Sequence, residues 1–191
     1  MFEIRHEAAS DAGAVENLLD SCFGADRRAK TSYRFRDGVP PLAELCFVAE
    51  DEDEELVGAV RYWPVMAGSQ PALLLGPLAI APARQARGSG RALVSHSLEI
   101  AGAAGHRLVF LVGDPVYYGR FGFTVAPGGI VMPGESPARL NYRVLDRSLI
   151  MPAYARLRPL PVIAESELDR NEAAPSTVPP AKAIATTPPI H

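Results

Sequence analysis

The sequence has little that would suggest a secreted, disulfide-stapled or membrane-spanning protein. Its two cysteines, Cys22 and Cys46, fit neither a disulfide framework nor a metal site. Charged residues stand near the N-terminus, where a secretory signal needs an apolar stretch. The longest apolar run, around residues 71–83, is interrupted by prolines and is too short to span a bilayer. We therefore expect a cytoplasmic protein that does not interact with membranes.

An excess of basic charge is also lacking. The 191 residues carry a formal net charge of −3 at pH 7, which argues against nucleic acid as a partner. The length suits one domain with an appendage. We expect a domain over residues 1–150 and a Pro- and Ala-rich C-terminal extension over residues 151–191. The oligomeric state is left open, with a homodimer as one alternative.

Acidic residues are absent between Glu55 and Glu99, although four arginines stand in that interval. Arg84, Arg87 and Arg91 surround the start of an amphipathic helix that the apolar spacing predicts over residues 89–104. The N-terminus of a helix carries partial positive charge and free N–H groups, so cations there are unfavourable unless an anion joins them. The cluster therefore predicts a site for an anion, most naturally phosphate.

The turn before this helix, Gln85-Ala-Arg-Gly88-Ser-Gly90, narrows the choice of phosphate ligand. A P-loop needs Lys and then Ser or Thr after the second glycine, where this chain has Arg91-Ala92. A dinucleotide fingerprint needs a third glycine at the position of Leu93. Glycines at positions 88 and 90 would let the backbone approach a ligand without a Cβ clash.

This turn and the strand before it, Leu78-Ala-Ile80, resemble the GCN5-related N-acetyltransferase (GNAT) superfamily. In that superfamily a Q/R-x-x-G-x-G/A turn grips the pyrophosphate of acetyl-coenzyme A. The run Tyr117-Tyr-Gly-Arg-Phe-Gly-Phe123 looks like the aromatic signature that follows the next strand of the superfamily. Two further runs, Val112-Gly-Asp-Pro-x-Tyr-Tyr118 and Leu75-Gly-Pro-Leu78, are similar to a subgroup, the predicted acetyltransferases of the YhbS-like type.

The resemblance implies a GNAT acyl-CoA N-acyltransferase fold of the α/β class (an α+β mixed sheet). In that fold helices flank a central mixed sheet, and strands 4 and 5 splay apart around the pantetheine arm. Gly76-Pro77 interrupts the expected fourth strand and favours such a defect, because proline cannot donate to a ladder. The alternative is that the pair merely ends a short strand. With the apolar strand at 107–112, the helix forms a parallel βαβ unit that places the glycine turn at the carboxyl edge of the sheet.

The resemblance also implies the residues of the site. The coenzyme-binding residues are expected to be Leu78, Ala79, Ile80, Gln85, Ala86, Arg87, Gly88, Ser89, Gly90 and Arg91. Tyr118 matches the tyrosine that, in many members, protonates the leaving thiolate. A phenol has a higher ordinary pKa than a thiol and can donate a proton at neutral pH. Packing against the coenzyme for shape alone is the alternative, and Tyr117 is expected to be core or pocket wall.

The implied reaction is direct transfer of an acetyl group from acetyl-CoA to the amine of a small molecule or peptide in a ternary complex. A non-catalytic acyl-CoA-binding sensor or accessory domain is the alternative. No general base is assigned among the titratable candidates Glu44, His96 and Asp114, since many members use an ordered water. His96 is mid-helix, where a packed or surface histidine is expected, and Asp114 before Pro115 suits a turn or a cap.

The remaining segments give coarser expectations. Phe2–Arg5 predicts a strand, and Ser10 or Asp11 would cap a helix that ends at Phe23-Gly24. The resemblance implies that Asp26–Arg36 and the chain after Thr124 form the acceptor half of the site, although the pattern of Asp26–Arg36 itself favours a solvated, cationic helix, to which we assign no role. The acidic run at 50–55 predicts a hydrated hairpin tip, and no metal is expected there because consecutive ligands do not converge without a specific loop. Two antiparallel strands are expected around 129–132 and 140–145.

Overall fold

A computed structural model describes residues 2–29 and 31–160, and these form a mixed sheet with helices on both faces. The strands are β1 Phe2–His6, β2 Phe47–Asp51, β3 Leu56–Ala67, β4 Gln70–Ile80, β5 Leu108–Val112, β6 Thr124–Val125, β7 Ile130–Val131, β8 Leu140–Val144 and β9 Ala155–Pro159. The helices are α1 Ala12–Phe23, α2 Ser89–Ala103 and α3 Pro115–Gly119. The fold class expected from the sequence is confirmed. Among the described residues no helix has the length and apolar character to span a membrane.

The sheet is antiparallel except where the chain crosses over through α2. Strands β1 to β4 follow one another as an antiparallel meander, and β4 then pairs in parallel with β5. Strand β8 lies antiparallel on the far side of β5, followed by β6. The acidic run forms the tight connection between β2 and β3, as predicted. The parallel pair places the start of α2 at the carboxyl edge of the sheet.

Each long helix buries one apolar stripe against the sheet. Leu93, Val94 and Leu98 of α2 are buried in a cluster with side chains of β2, β3 and β4, and the Ser97 hydroxyl is hydrogen-bonded to that of buried Tyr62 at 2.8 Å. Ala104, which the spacing placed on this face, is exposed because α2 ends at Ala103 and the chain turns away. On the other face, α1 is packed against buried residues of β2, β3 and β4, namely Val48, Ala59 and Ala79.

The parallel strands β4 and β5 separate after a short stretch of pairing. Only Leu73 and Leu74 of β4 are paired with β5, opposite Val109 and Phe110. Beyond them β4 stays with β3 as far as Ile80, but the register shifts where Gly76-Pro77 lies. The predicted bulge and splay are therefore confirmed. The alternative, that the Gly-Pro pair ends the strand, is wrong.

The cationic segment after α1 differs from the expectation. It forms two 3-10 turns, Ala25–Ala29 and Thr31–Phe35, instead of one solvated helix. Arg27 is only 1% exposed and its Nε donates to Asp20 at 2.7 Å, with Glu16 as a second ion-pair partner. Glu16 and Asp20 are four residues apart and share one face of α1, so both can bind the Arg27 guanidinium against that face.

The pairing of the C-terminal strands also differs. Strand β8 is antiparallel to β5, whereas β7 is parallel to β9 and not antiparallel to β8 as expected. Strand β9 also pairs with the end of β3 and buries Ala155 and Leu157 between exposed arginines. The expected extension at 151–191 begins ahead of this strand. Its Pro- and Ala-rich part lies outside the described residues, so the division of the chain stays a prediction.

Candidate active site

The turn between β4 and α2 exposes several backbone N–H groups. Gly88, the N-cap of α2, has φ +92°, and Ala86 has φ +62°, so two left-handed residues flank Arg87. Within the described part of the chain, the N–H groups of these three residues donate to no backbone carbonyl. The first N–H groups of α2 have no acceptor within the helix, because no preceding helical turn supplies a carbonyl group. A curved row of unpaired donors at a helix N-terminus suits a phosphate group.

A cavity of about 400 Å³ opens over this turn. It is lined by Leu78, Ile80, Gln85, Ala86, Gly88, Ser89, Gly90, Arg91, Tyr117 and Arg120. We call it the turn cavity. The hydroxyl oxygen of Ser89 is buried beside it without a hydrogen-bond partner in the described residues. An orphaned hydroxyl and free amides together indicate that a polar ligand completes the site.

The expected coenzyme-binding residues line the turn cavity, except Ala79 and Arg87. Ala79 is buried against α1 on the opposite face of the sheet. Arg87 is exposed and is not among the residues that line the cavity. The burial of Ala79 on the opposite face follows from strand geometry, since successive side chains of β4 point to opposite faces of the sheet.

The charge of the turn is lower than the sequence indicated. Arg84 forms an ion pair with Asp51 at the end of β2, so its charge is neutralised, contrary to the expectation from the sequence. The reason is the antiparallel register of β3 and β4, which brings the end of β4 beside the start of β3 and the acidic connection before it. Arg87 and Arg91 remain exposed, and neither has an ion-pair partner among the described residues.

The edge of β4 that faces the gap presents unpaired backbone groups. The N–H of Ala81 donates to Val57 of β3 at 2.9 Å. Since backbone groups of successive residues in a strand alternate in direction, the N–H groups of Leu78 and Ile80 point away from β3. The Ile80 carbonyl accordingly accepts from the Cys22 thiol and from the Gln85 side chain, each at 3.2 Å.

Tyr118 lies in a second cavity, of about 620 Å³, between the diverging strands. Its ring is packed against Gly113, where a Cβ atom would collide with the ring, and meets the Phe123 ring edge-on at a centroid distance of 6.0 Å. The Tyr118 hydroxyl has no hydrogen bond with any described residue, and burial raises its pKa. We call this the splay cavity. Leu78 lines both the turn cavity and the splay cavity.

The titratable candidates for a base occupy structural positions. The His96 ring lies edge-on to Phe47 at 4.9 Å, as expected of a packed histidine. The Asp114 carboxylate accepts from the N–H of Val116 at 2.9 Å and caps α3. Glu44 is exposed and lines neither the turn cavity nor the splay cavity. In the described part of the chain, no group of three or more His, Cys, Asp or Glu side chains could hold a metal ion.

Four side chains of the splay cavity lie in the two segments expected to form the acceptor half, but the sequence does not single them out. Tyr33, Arg36, Glu135 and Arg139 line it together with the bulge of β4. None belongs to a recognisable motif. The density of arginines between residues 27 and 36 was the available signal, and it was interpreted as a solvated face.

The chain is similar to known acetyltransferases over most of its length. A model of the Acetyltransferase (GNAT) family matches residues 12–123. The N-acetyltransferase YhbS of Escherichia coli strain K12, itself uncharacterized, is 32% identical over 152 residues, which are 76% of this chain and 89% of that protein. The crystal structure of E. coli YhbS in complex with CoA aligns with a TM-score of 0.71 at 27% identity, over 83% of this chain and 89% of that one. A GNAT family acetyltransferase from Brucella melitensis, in complex with acetyl-CoA, has the same fold, with a TM-score of 0.62 at 24% identity over 83% of this chain and 95% of that one.

Proposed function

Because the chain belongs to the GNAT family of acetyltransferases, we propose that it transfers an acetyl group from acetyl-CoA directly to an amine bound beside it. One observation carries the proposal: Leu78 lines both the turn cavity and the splay cavity, so the two cavities are neighbours. A donor whose diphosphate lies over the turn and whose pantetheine arm lies in the gap beside Leu78 would reach an acceptor held in the splay cavity, so that the transfer needs no covalent enzyme intermediate. Tyr118 lines the acceptor side of this junction.

The residues of the turn fit the diphosphate of the coenzyme. The free N–H groups from Ala86 to Gly88 and those of the first turn of α2 supply donors, and Arg87 and Arg91 supply charge. The orphaned hydroxyl of Ser89 supplies one further donor. When bound, acetyl-CoA brings the activated thioester that the chain itself lacks.

Two groups of the chain are proposed to act on the reacting atoms. The N–H groups of Leu78 and Ile80, which point into the gap between β4 and β5, hold the donor and its carbonyl oxygen. The Tyr118 hydroxyl has no other acceptor in the described residues and gives its proton to the departing sulfur. We assign no base: the proton lost by the amine passes to water, and water returns a proton to the Tyr118 phenolate, so the cycle takes up no net proton.

The proposal is tested by an acceptor screen. Purified protein is titrated with coenzyme A by calorimetry, and acetyl-CoA is then incubated with a panel of amines while free thiol and acetylated product are measured. We expect saturable binding and thiol release that depends on the amine and matches product one for one. Binding without thiol release for every amine would favour the accessory-domain alternative. Absence of binding would reject both functions.

The pH dependence of turnover follows from the surroundings of Tyr118. The protonated phenol is uncharged, so burial disfavours the phenolate and raises the pKa of this group above the ordinary value of about 10. Up to pH about 10 we expect no decline of kcat from loss of this proton. The measurement is kcat at saturating substrates across the pH range. A falling limb below pH about 9 in the wild type that disappears in Tyr118→Phe would contradict this assignment.

A further inference from the structure

Arg36 lies at the bulge of β4, at the wall of the splay cavity. Its Nη2 atom is 3.3 Å from the place that a Cβ atom would take on Gly76. The guanidinium carbon lies 4.5 Å from the centroid of the Tyr33 ring and 5.0 Å from that of Trp63. Arg36 also lines a neighbouring cavity of about 370 Å³. The Arg36 side chain therefore lies close to the rings of Tyr33 and Trp63, and it lines both the splay cavity and this neighbouring cavity.

The other partly buried arginines of this region have acidic partners. Arg27 is paired with Asp20 and Glu16, and Arg61 donates from Nε to Glu7 at 2.7 Å. Among the described residues, Arg36 has no acidic group within ion-pair distance, and its Nε is buried without a hydrogen bond. Tyr33 and Trp63 offset only part of the cost of burying a cation.

Arg36 stays a cation at neutral pH. Burial lowers its pKa to about 10, with Arg27 and Arg61 adding to the shift and Tyr33 opposing it. A buried cation with an unsatisfied donor indicates that an anion belongs beside it. The carboxylates of Asp114 and Glu135 lie on the wall of the splay cavity, and they would repel a dianion such as phosphate more than a monoanion.

We propose that Arg36 binds a carboxylate of the acceptor, so that the substrates are primary amines with a carboxylate only a few carbons away, as in amino acids. This inference rests on the proposed function. Gly76, beside Arg36, and Leu78, which lines both cavities, are only two residues apart on β4. A short amino acid spans that interval once its hydrogen bonds to the guanidinium are included.

The first test uses the wild-type protein. Pairs of acceptors that differ only in carboxylate versus carboxamide are compared, with glycine, β-alanine and γ-aminobutyrate as the series and aminoalkyl phosphonates as an additional arm. Rates are corrected for the fraction of neutral amine. We expect kcat/KM to favour the carboxylate by about 10- to 100-fold, mainly through KM. Equal rates for both members of every pair would overturn the inference while leaving the proposed function intact, and preference for the phosphonates would also overturn it.

The second test assigns the preference to Arg36. In Arg36→Gln the preference for carboxylate should fall to about threefold or less, and Arg36→Lys should retain part of it. Arg34→Gln removes the same charge from an exposed position two residues away and should keep the full preference. Thermal unfolding and coenzyme A titration of each variant report whether it folds. If Arg36→Gln kept the wild-type preference, the inference would be rejected. If no amine were acetylated at all, the proposed function would fail and the inference with it.

Discussion

Replacing Gly88 with valine should weaken coenzyme A binding by about 100-fold or more. Gly88 has φ +92°, a conformation that costs a residue with a Cβ atom about 1 to 2 kcal/mol and a β-branched one more. No atom lies within 4 Å of a Cβ placed there, so the expected defect is one of backbone conformation and not of crowding. If the turn relaxes, the N–H groups from Ala86 to Gly88 lose the arrangement that we propose for binding the diphosphate. Calorimetric titration with coenzyme A measures the effect.

Gly102→Ala is the matched control for this variant. Gly102 lies in the same helix, has no left-handed φ and likewise has open space where a Cβ would stand. We expect unchanged coenzyme binding and a free energy of unfolding higher by about 0.5 to 1 kcal/mol, because alanine is the better helix former. Wild-type affinity in Gly88→Val would be incompatible with a phosphate site at this turn.

Removing the Tyr118 hydroxyl should lower kcat by about 100- to 1000-fold while leaving coenzyme binding unchanged. Tyr118→Phe keeps the ring, so its packing against Gly113 and Phe123 is preserved. Only the proton for the departing thiolate is lost. The measurement is steady-state thiol release with the best acceptor of the panel, together with the dissociation constant of coenzyme A.

Tyr142→Phe serves as the comparison for the hydroxyl deletion. Tyr142 lies on β8 with its ring 6.4 Å from that of Phe110, and it lines neither the turn cavity nor the splay cavity. Its kcat should stay within about twofold of the wild type. If Tyr118→Phe were as active as Tyr142→Phe, Tyr118 would act through shape alone.

The donor half of the site could be predicted because its signals are local. The turn, the buried stripe of α2 and the apolar strand β5 are consecutive in the chain, and each follows from the spacing of a few neighbours. The bulge at Gly76-Pro77 follows from a single proline. The family resemblance based on these short motifs is confirmed by the match over residues 12–123.

The resemblance names the segments of the acceptor half, but contacts between residues distant in sequence could not be predicted. Arg36 meets the ring of Trp63, and Arg84 meets Asp51, only once the registers of the strands are known. The second pairing was within reach of the sequence, since an antiparallel meander returns the end of β4 to the start of β3. The parallel pairing of β7 with β9 had no such local signal.

The early parting of β4 and β5 has a consequence for the unliganded protein. With two residue pairs joining them, a line of peptide groups in mid-sheet has no strand of the described residues beside it where one would normally lie. The pantetheine arm carries amides of its own and can supply that absent neighbour. In the complex that we propose, part of the hydrogen bonding of this sheet would therefore be completed by the coenzyme.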